Sequence, residues 1–199
     1  MTSNIGWFIV IIVASCGFAF GALRIFGRSG SSEKDADLKR RIVRITGPID
    51  DPSANDVIAR LLYLDKASTT EPIRLIIHSP GGAVLAGLAI IDTIELIKAP
   101  VFTRCAGNIG SMALVIVTCG HQGRRSVATD AQVLFSMPEA PVGASREQQG
   151  NAERLAVVLI EKVSKASGLP KEYVRRLFEE RTPIDAPRAI GLGLVDTNN

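Results

Sequence analysis

Residues 73–118, IRLIIHSPGGAVLAGLAIIDTIELIKAPVFTRCAGNIGSMALVIVT, repeat one local pattern twice. A short run rich in Ile and Val reaches a glycine turn, and an apolar helical segment follows. IRLIIH (73–78) predicts a strand that ends in the turn SPGG, and AVLAGLAIIDTIELIKA (83–99) predicts the helix after it. PVFTRCAG (100–107) predicts the next strand; GNIGS then leads into a helix that begins at Ser111. Strands that alternate with helices predict an α/β domain in which helices cover a mostly parallel sheet. In such a sheet the strand-to-helix turns gather at the carboxyl edge, where ligands bind. Backbone N–H groups in the first turn of a helix have no intrahelical partner. Gly82 and Met112 are therefore expected to offer free donors, and two converging donors make an oxyanion hole. Gly-Gly and Gly-Ser before helices are also ordinary turn and cap chemistry.

Outward from this stretch the same alternation continues. RIVRITG (41–47) reads as a strand and PSANDVIARLLYLDKAS (52–68) as a helix. RRSVATDAQVLFS (124–136) contains a further strand. A long helix is expected from about Arg146 to Ser167, another from Pro170 to Arg181, and a last one from near Ala186.

The 199 residues, 46% apolar, suit one buried domain with an appendage. A net charge of +3, from 23 basic and 20 acidic residues spread along the chain, gives no reason to expect nucleic acid as a partner. Cys16, Cys105 and Cys119 are unpatterned and lie in apolar sequence, as packing residues rather than a disulfide framework. With His78 and His121 as the only histidines, no metal cluster is expected. No phosphate loop is present, so no cofactor is expected and any ATP use belongs to a partner.

From Met1 to Leu23 there is no ionisable side chain, and Ile5 to Leu23 is nearly continuous hydrophobe. Residues 1–26 are read as a retained single-pass membrane anchor, because a cleaved signal would begin with a basic residue. Arg24, Arg28, Lys34 and Lys39-Arg40-Arg41 follow the span, which puts the C-terminal bulk in the cytoplasm. GRSGSSEKDAD (27–37) is read as a flexible tether, and residues 38–199 as the soluble domain.

Four segments carry a family resemblance: ITGPIDDPSANDVIARLLYLD, IRLIIHSPGGAVLAGLAIIDTIELIKAPV, CAGNIGSMALVIVTCGHQGRR and DAPRAIGLGLVD. In order and spacing they resemble the Clp protease proteolytic-subunit (ClpP) family, from about Asp37 to Asp196. The resemblance implies the Clp/crotonase fold of stacked ββα units. It also implies a serine peptidase that assembles into heptamer-like rings, takes polypeptide substrates and is fed by an ATP-driven unfoldase. By the match Ser111 lies at the nucleophile position, and Gly82 and Met112 lie at the oxyanion-hole positions.

The match fails at the acid–base partners. In LFSMP, Ser136 stands where the family has its catalytic histidine, and Arg181 in FEERTPIDAP stands where it has aspartate. A serine at its free pKa is a poor nucleophile, and without triad members only residual catalysis is expected. His78, beside SPGG, is the possible substitute base; a strand-end histidine satisfied by backbone is the plainer expectation. His121 lies in a loop beyond the Ser111 helix. Lys98 would be needed for a Ser-Lys dyad, yet it closes the preceding helix, and Asp185 has no imidazole to orient. The segment from Ser136 to SGLP is shorter than the family's by about one helical turn, roughly four residues. This region joins two rings in the family, so a single ring on the bilayer is expected. Two other readings stay open: a non-catalytic ring-forming scaffold or regulatory subunit, and a crotonase-like acyl-thioester binder that uses the two backbone donors alone.

Overall fold

In the computed structural model, residues 33–139 and 141–198 are described. The expected membrane span and the first half of the tether lie outside them. Among the described residues, no helix is long and apolar enough to cross a membrane. The chain divides into Met1–Arg40 and Arg41–Asn199. In the first unit, residues 33–39 are helical, overlapping the stretch 27–37 read as a flexible tether.

The second unit follows the predicted alternation. β1 (Ile42–Thr46), β2 (Ile73–His78), β3 (Val101–Cys105), β5 (Arg125–Val127) and β8 (Thr197–Asn198) form one sheet in that order, with every pairing parallel. α1 (Asp51–Ala67), α2 (Val84–Leu96) and α3 (Ser111–Thr118) occupy the crossovers. α1 starts where sequence chemistry dictates. Asp50 accepts from Ser53 N at 2.9 Å, the Ser53 hydroxyl answers to Asp50 N, and Pro52 lies in the first turn. At its other end the Arg41 guanidinium gathers the carbonyls of Leu64, Ser68 and Glu71.

Strand periodicity separates the two faces of this sheet. Val43, Ile45, Ile73, Leu75, Ile77, Val101 and Cys105 are buried, while Ile42, Arg44, Arg74, Ile76, Phe102 and Arg104 remain half-buried or exposed. α3 is apolar all round and buried from Met112 to Thr118, the central rod of the domain. Burial pushes the Cys105 thiol up to about 11 and the Cys119 thiol up to about 12, which keeps both protonated and inert.

A second sheet was not legible in the sequence. The segment expected to hold one strand holds β5 and also β6 (Gln132–Leu134). β6 pairs in parallel with β4 (Ile109–Gly110) and antiparallel with β7 (Ile184–Asp185). α4 (Arg146–Ser167), capped by a reciprocal Ser145–Gln148 box and ended by Gly168 in the left-handed region, agrees with the expected span. α5 (Lys171–Glu180) and α6 (Ala186–Gly191) complete the unit. The Phe178 ring of α5 lies 4.6 Å, centroid to centroid, from the Phe135 ring, and fixes the chain just beyond β6.

One buried cation ties the periphery together. Arg125 is 3% exposed; its guanidinium grips both Asp196 oxygens at 3.0 and 2.6 Å and donates to Thr118 O and Ala166 O, the ends of α3 and α4. Burial opposes ionisation of Asp196, yet the Arg125 hydrogen bonds and charge outweigh it and hold the carboxyl below its ordinary 3.8. A depressed folded-state pKa means that this stability is present above 3.8 and is lost as pH falls through the lower, folded value. Asp196→Asn should therefore cost about 3 kcal/mol at neutral pH, since it leaves a buried guanidinium half paired. The loss should shrink in acid. Urea midpoints of both proteins at pH 7 and pH 3 check this, and equal midpoints at pH 7 would refute it.

Candidate active site

The site forms where the two glycine turns meet. β2 ends at His78, and the buried Ser79 hydroxyl accepts from Gly81 N at 3.1 Å, which closes the first turn. Gly81 and Gly82 follow at φ +98° and +152°, where side chains rarely go. Their backbone makes a parallel β-bridge to Ile49: Ile49 N donates to Gly81 O at 2.9 Å, and Ala83 N donates to Ile49 O at 2.7 Å. Such a bridge uses the groups on either side of Gly82, so the Gly82 N–H is left facing away from Ile49.

The second turn lies directly on the first. Gly110 N donates to Ser79 O at 3.2 Å, and a side chain at Gly110 would run into the Pro80 carbonyl. A Cβ at Gly81 would stand 3.3 Å from both Gly110 O and Met112 N, so backbone packs on backbone. β4 and the Asn108 carboxamide, which accepts from Gln132 N at 3.0 Å, anchor the second turn to β6. α3 opens at Ser111 with no side-chain cap on Gly110. Neither the Gly82 nor the Met112 N–H has a hydrogen-bond partner among the described residues.

Ser111 is half-buried, and its Oγ donates to Ser136 O at 2.8 Å. β6 and the Phe135–Phe178 contact set that carbonyl in place. β6 pairs with β7 through Gln132↔Asp185 and Val133↔Ile184, and the Arg181 guanidinium pairs with Glu139. Ser111 thus meets the Ser136 carbonyl, while the partner of Arg181 lies three residues beyond Ser136 in the chain. Arg181 itself ends α5 at φ +50°.

The remaining sequence candidates go elsewhere. His78 contacts the Ala106 carbonyl through Nδ1 at 2.6 Å; since a carbonyl only accepts, Nδ1 carries the proton. Its ring lies over Gly107 in the loop between β3 and β4. His121 N donates to Val101 O, at the amino end of β3 and so at the sheet edge opposite Ser111, and its ring faces Phe102. Lys98 is at that same edge, its N–H bonded to Asp65. Asp185 caps α6, accepting from Arg188 N at 2.9 Å. Ile49, Ser79 and Glu139 shape the site without having been singled out in the sequence. Ser79 lies inside the quoted turn; the other two act through long-range contacts that leave no local signal.

A serine hydroxyl at a helix N-terminus, with backbone donors that have no partner among the described residues at the carboxyl edge of a parallel sheet, is an arrangement that can serve serine acyl transfer. The sequence pattern of the Clp protease family matches residues 31–197. The chain is 36% identical over 165 residues to the ATP-dependent Clp protease proteolytic subunit of Streptococcus mutans serotype c, covering 80% of this chain and 84% of that protein. The subunit of the same name from Streptococcus pneumoniae matches at the same identity and coverage. The chain belongs to the Clp protease family.

Close backbone packing makes the turns intolerant of side chains. Gly82→Ala should destabilise the full-length chain by about 2 kcal/mol or more, because the added carbon meets the Ile49 backbone at a strained φ. Gly150→Ala on α4, where the added carbon meets only the flexible end of the Arg154 side chain at ordinary contact distance, should instead stabilise by about 0.5 to 1 kcal/mol. Urea unfolding separates the two, and similar shifts of one sign would contradict the turn geometry.

Proposed function

We propose that this Clp protease homologue binds polypeptide across the Ser111 turn without activating the serine, so that acyl transfer is very slow or absent. The carrying observation is the Ser111 hydrogen bond to Ser136 O at 2.8 Å. A peptide carbonyl accepts a hydrogen bond but takes up no proton near neutral pH, whereas a serine nucleophile needs a base. Among the described residues no imidazole, amine or carboxylate is hydrogen-bonded to Ser111. The Gly82 and Met112 donors remain suited to a substrate carbonyl.

The relatives are named as subunits of an ATP-dependent protease. In this reading the chain contributes a ring-forming, client-binding subunit, and ATP is spent by a separate unfoldase. The uncharged run from Met1 to Leu23 supports placing this subunit on a membrane, with the soluble unit in the cytoplasm.

Site repair tests the catalytic reading. Cleavage of a fluorogenic peptide by the full-length chain should match that of Ser111→Ala. The double variant Ser136→His/Arg181→Asp should gain at least about 100-fold, and a further Ser111→Ala should abolish the gain. Ser111-dependent turnover by the unaltered chain would overturn the proposal. Alkaline carbonate washing tests the membrane assignment: the chain should stay in the membrane pellet at full mass, and a shortened soluble form would refute it.

A further inference from the structure

Every strand of the five-stranded sheet begins at one edge, because every pairing in it is parallel. The chain enters the second unit at that edge, at Arg41, and the Ser111 turns lie at the opposite one. Arg41 donates to the carbonyls of Leu64, Ser68 and Glu71, so the point of entry sits against the carboxyl end of α1. Asp65 accepts from the N–H groups of Lys98 and Ala99 at 2.9 and 2.8 Å, which brings the end of α2 to the same place. Two kinds of side chain gather here. Leu62, Tyr63 and Leu96 are large and apolar, yet 44, 63 and 76% exposed. Lys66 and Lys98 are exposed and have no acidic partner among the described residues. The neighbouring carboxylates are turned to other groups: Asp65 to backbone, Glu71 to Arg41 and Glu95 to Lys162.

We propose that this amino-edge surface rests on an anionic lipid bilayer, with Tyr63 and Leu96 at headgroup depth and Lys66 and Lys98 against lipid phosphates. The inference rests on the membrane placement proposed above, and adds which surface of the soluble unit meets the lipid. Of residues 27–40, those from 33 to 39 are helical and the rest are at most fully extended, so Arg41 lies within about 35 Å of the end of the uncharged run. That reach keeps the amino edge close to the bilayer, and the side chains there decide the contact. Tyrosine is favoured at the membrane–water interface, where its ring is apolar and its hydroxyl wet. Lysine lays its stem along apolar surface while the ammonium reaches a phosphate, and the cytoplasmic leaflet is the anionic one. A two-fold contact with a second copy would set the same lysines against each other. With the amino edge on the bilayer, the Ser111 turns open away from it, toward soluble polypeptide.

Photocrosslinking of the full-length chain in vesicles of phosphatidylcholine and phosphatidylserine tests the orientation. p-Benzoylphenylalanine replaces Tyr63, Leu96 or, at the exposed carboxyl edge, Thr129. Lipid adducts at positions 63 and 96 should exceed those at 129 at least about fivefold, and should fall about as much in pure phosphatidylcholine or with Lys66→Glu/Lys98→Glu. Lys66→Arg/Lys98→Arg, which keeps the charge, should retain them. Thermal melts verify folding, and Lys66→Gln/Lys98→Gln gives a milder loss if the reversal unfolds. Equal adducts at all three positions, adducts undiminished in a folded charge-reversed chain, or crosslinks from 63 and 96 to a second copy in place of lipid overturn the proposal. Flotation of the same vesicles keeps the two readings apart. Chain that fails to float overturns the membrane placement itself, whereas chain that floats without the positional bias overturns this orientation alone.

Discussion

The contact on which the site depends is the meeting of two backbones, Ser79–Pro80–Gly81–Gly82 against Gly110–Ser111–Met112. Gly110 N bonds to Ser79 O, and the space at Gly82 and Gly110 is filled by the Ile49 backbone and the Pro80 carbonyl. No side chain intervenes, so the spacing of the two turns is set by peptide geometry alone. Two consequences follow from that closeness. The helix of Ser111 is aimed from the sheet edge into the core, and two peptide N–H groups are left with their partners elsewhere committed. Burial of α3 then makes the arrangement stiff, because any shift of Ser111 drags Met112 through Thr118 against fully packed neighbours.

Much of this could be read in the sequence because the determinants are local. Glycines at fixed places between an apolar run and a helical run announce both turns, and α1 and α4 begin at capping boxes whose residues are adjacent in the chain. The long helix was legible to its ends. The second sheet was not, since β4 and β7 are two residues each and acquire strand character only by pairing with β6. The bridge from Ile49 to Gly82 and the Arg125–Asp196 clamp were hidden for the same reason: sequence separation conceals the partner. The acidic end of the stretch that composition reads as tether belongs to a helix over residues 33–39. Glu33 and Lys34 are good helix formers, which compositional reading of the Gly-Ser run before them underweights.

At the site the sequence gives residue identities and the fold supplies the reason they matter. Ser136 is an unremarkable residue in LFSMP until β6 and the Phe135–Phe178 contact hold its carbonyl against the Ser111 hydroxyl. Arg181 ends a helix, and its guanidinium is taken by Glu139. His78 is near the turn in sequence, but its ring is committed to Ala106 O. The scaffold of the turns and any proton chemistry at the site rest on different atoms: the first on peptide groups and glycines, the second on side chains.

The central claim, a positioned but unactivated Ser111, is tested most directly by the pH dependence of its modification. The second-order rate of fluorophosphonate reaction at Ser111, identified by peptide mass and compared with Ser111→Ala, can be followed from pH 5 to pH 10. A serine that lacks a base must lose its proton to solvent, so the rate is predicted to rise about tenfold per pH unit without an inflection. A plateau reached through an inflection near the imidazole pKa of about 6.5 would reveal a base acting on Ser111, and would contradict the account.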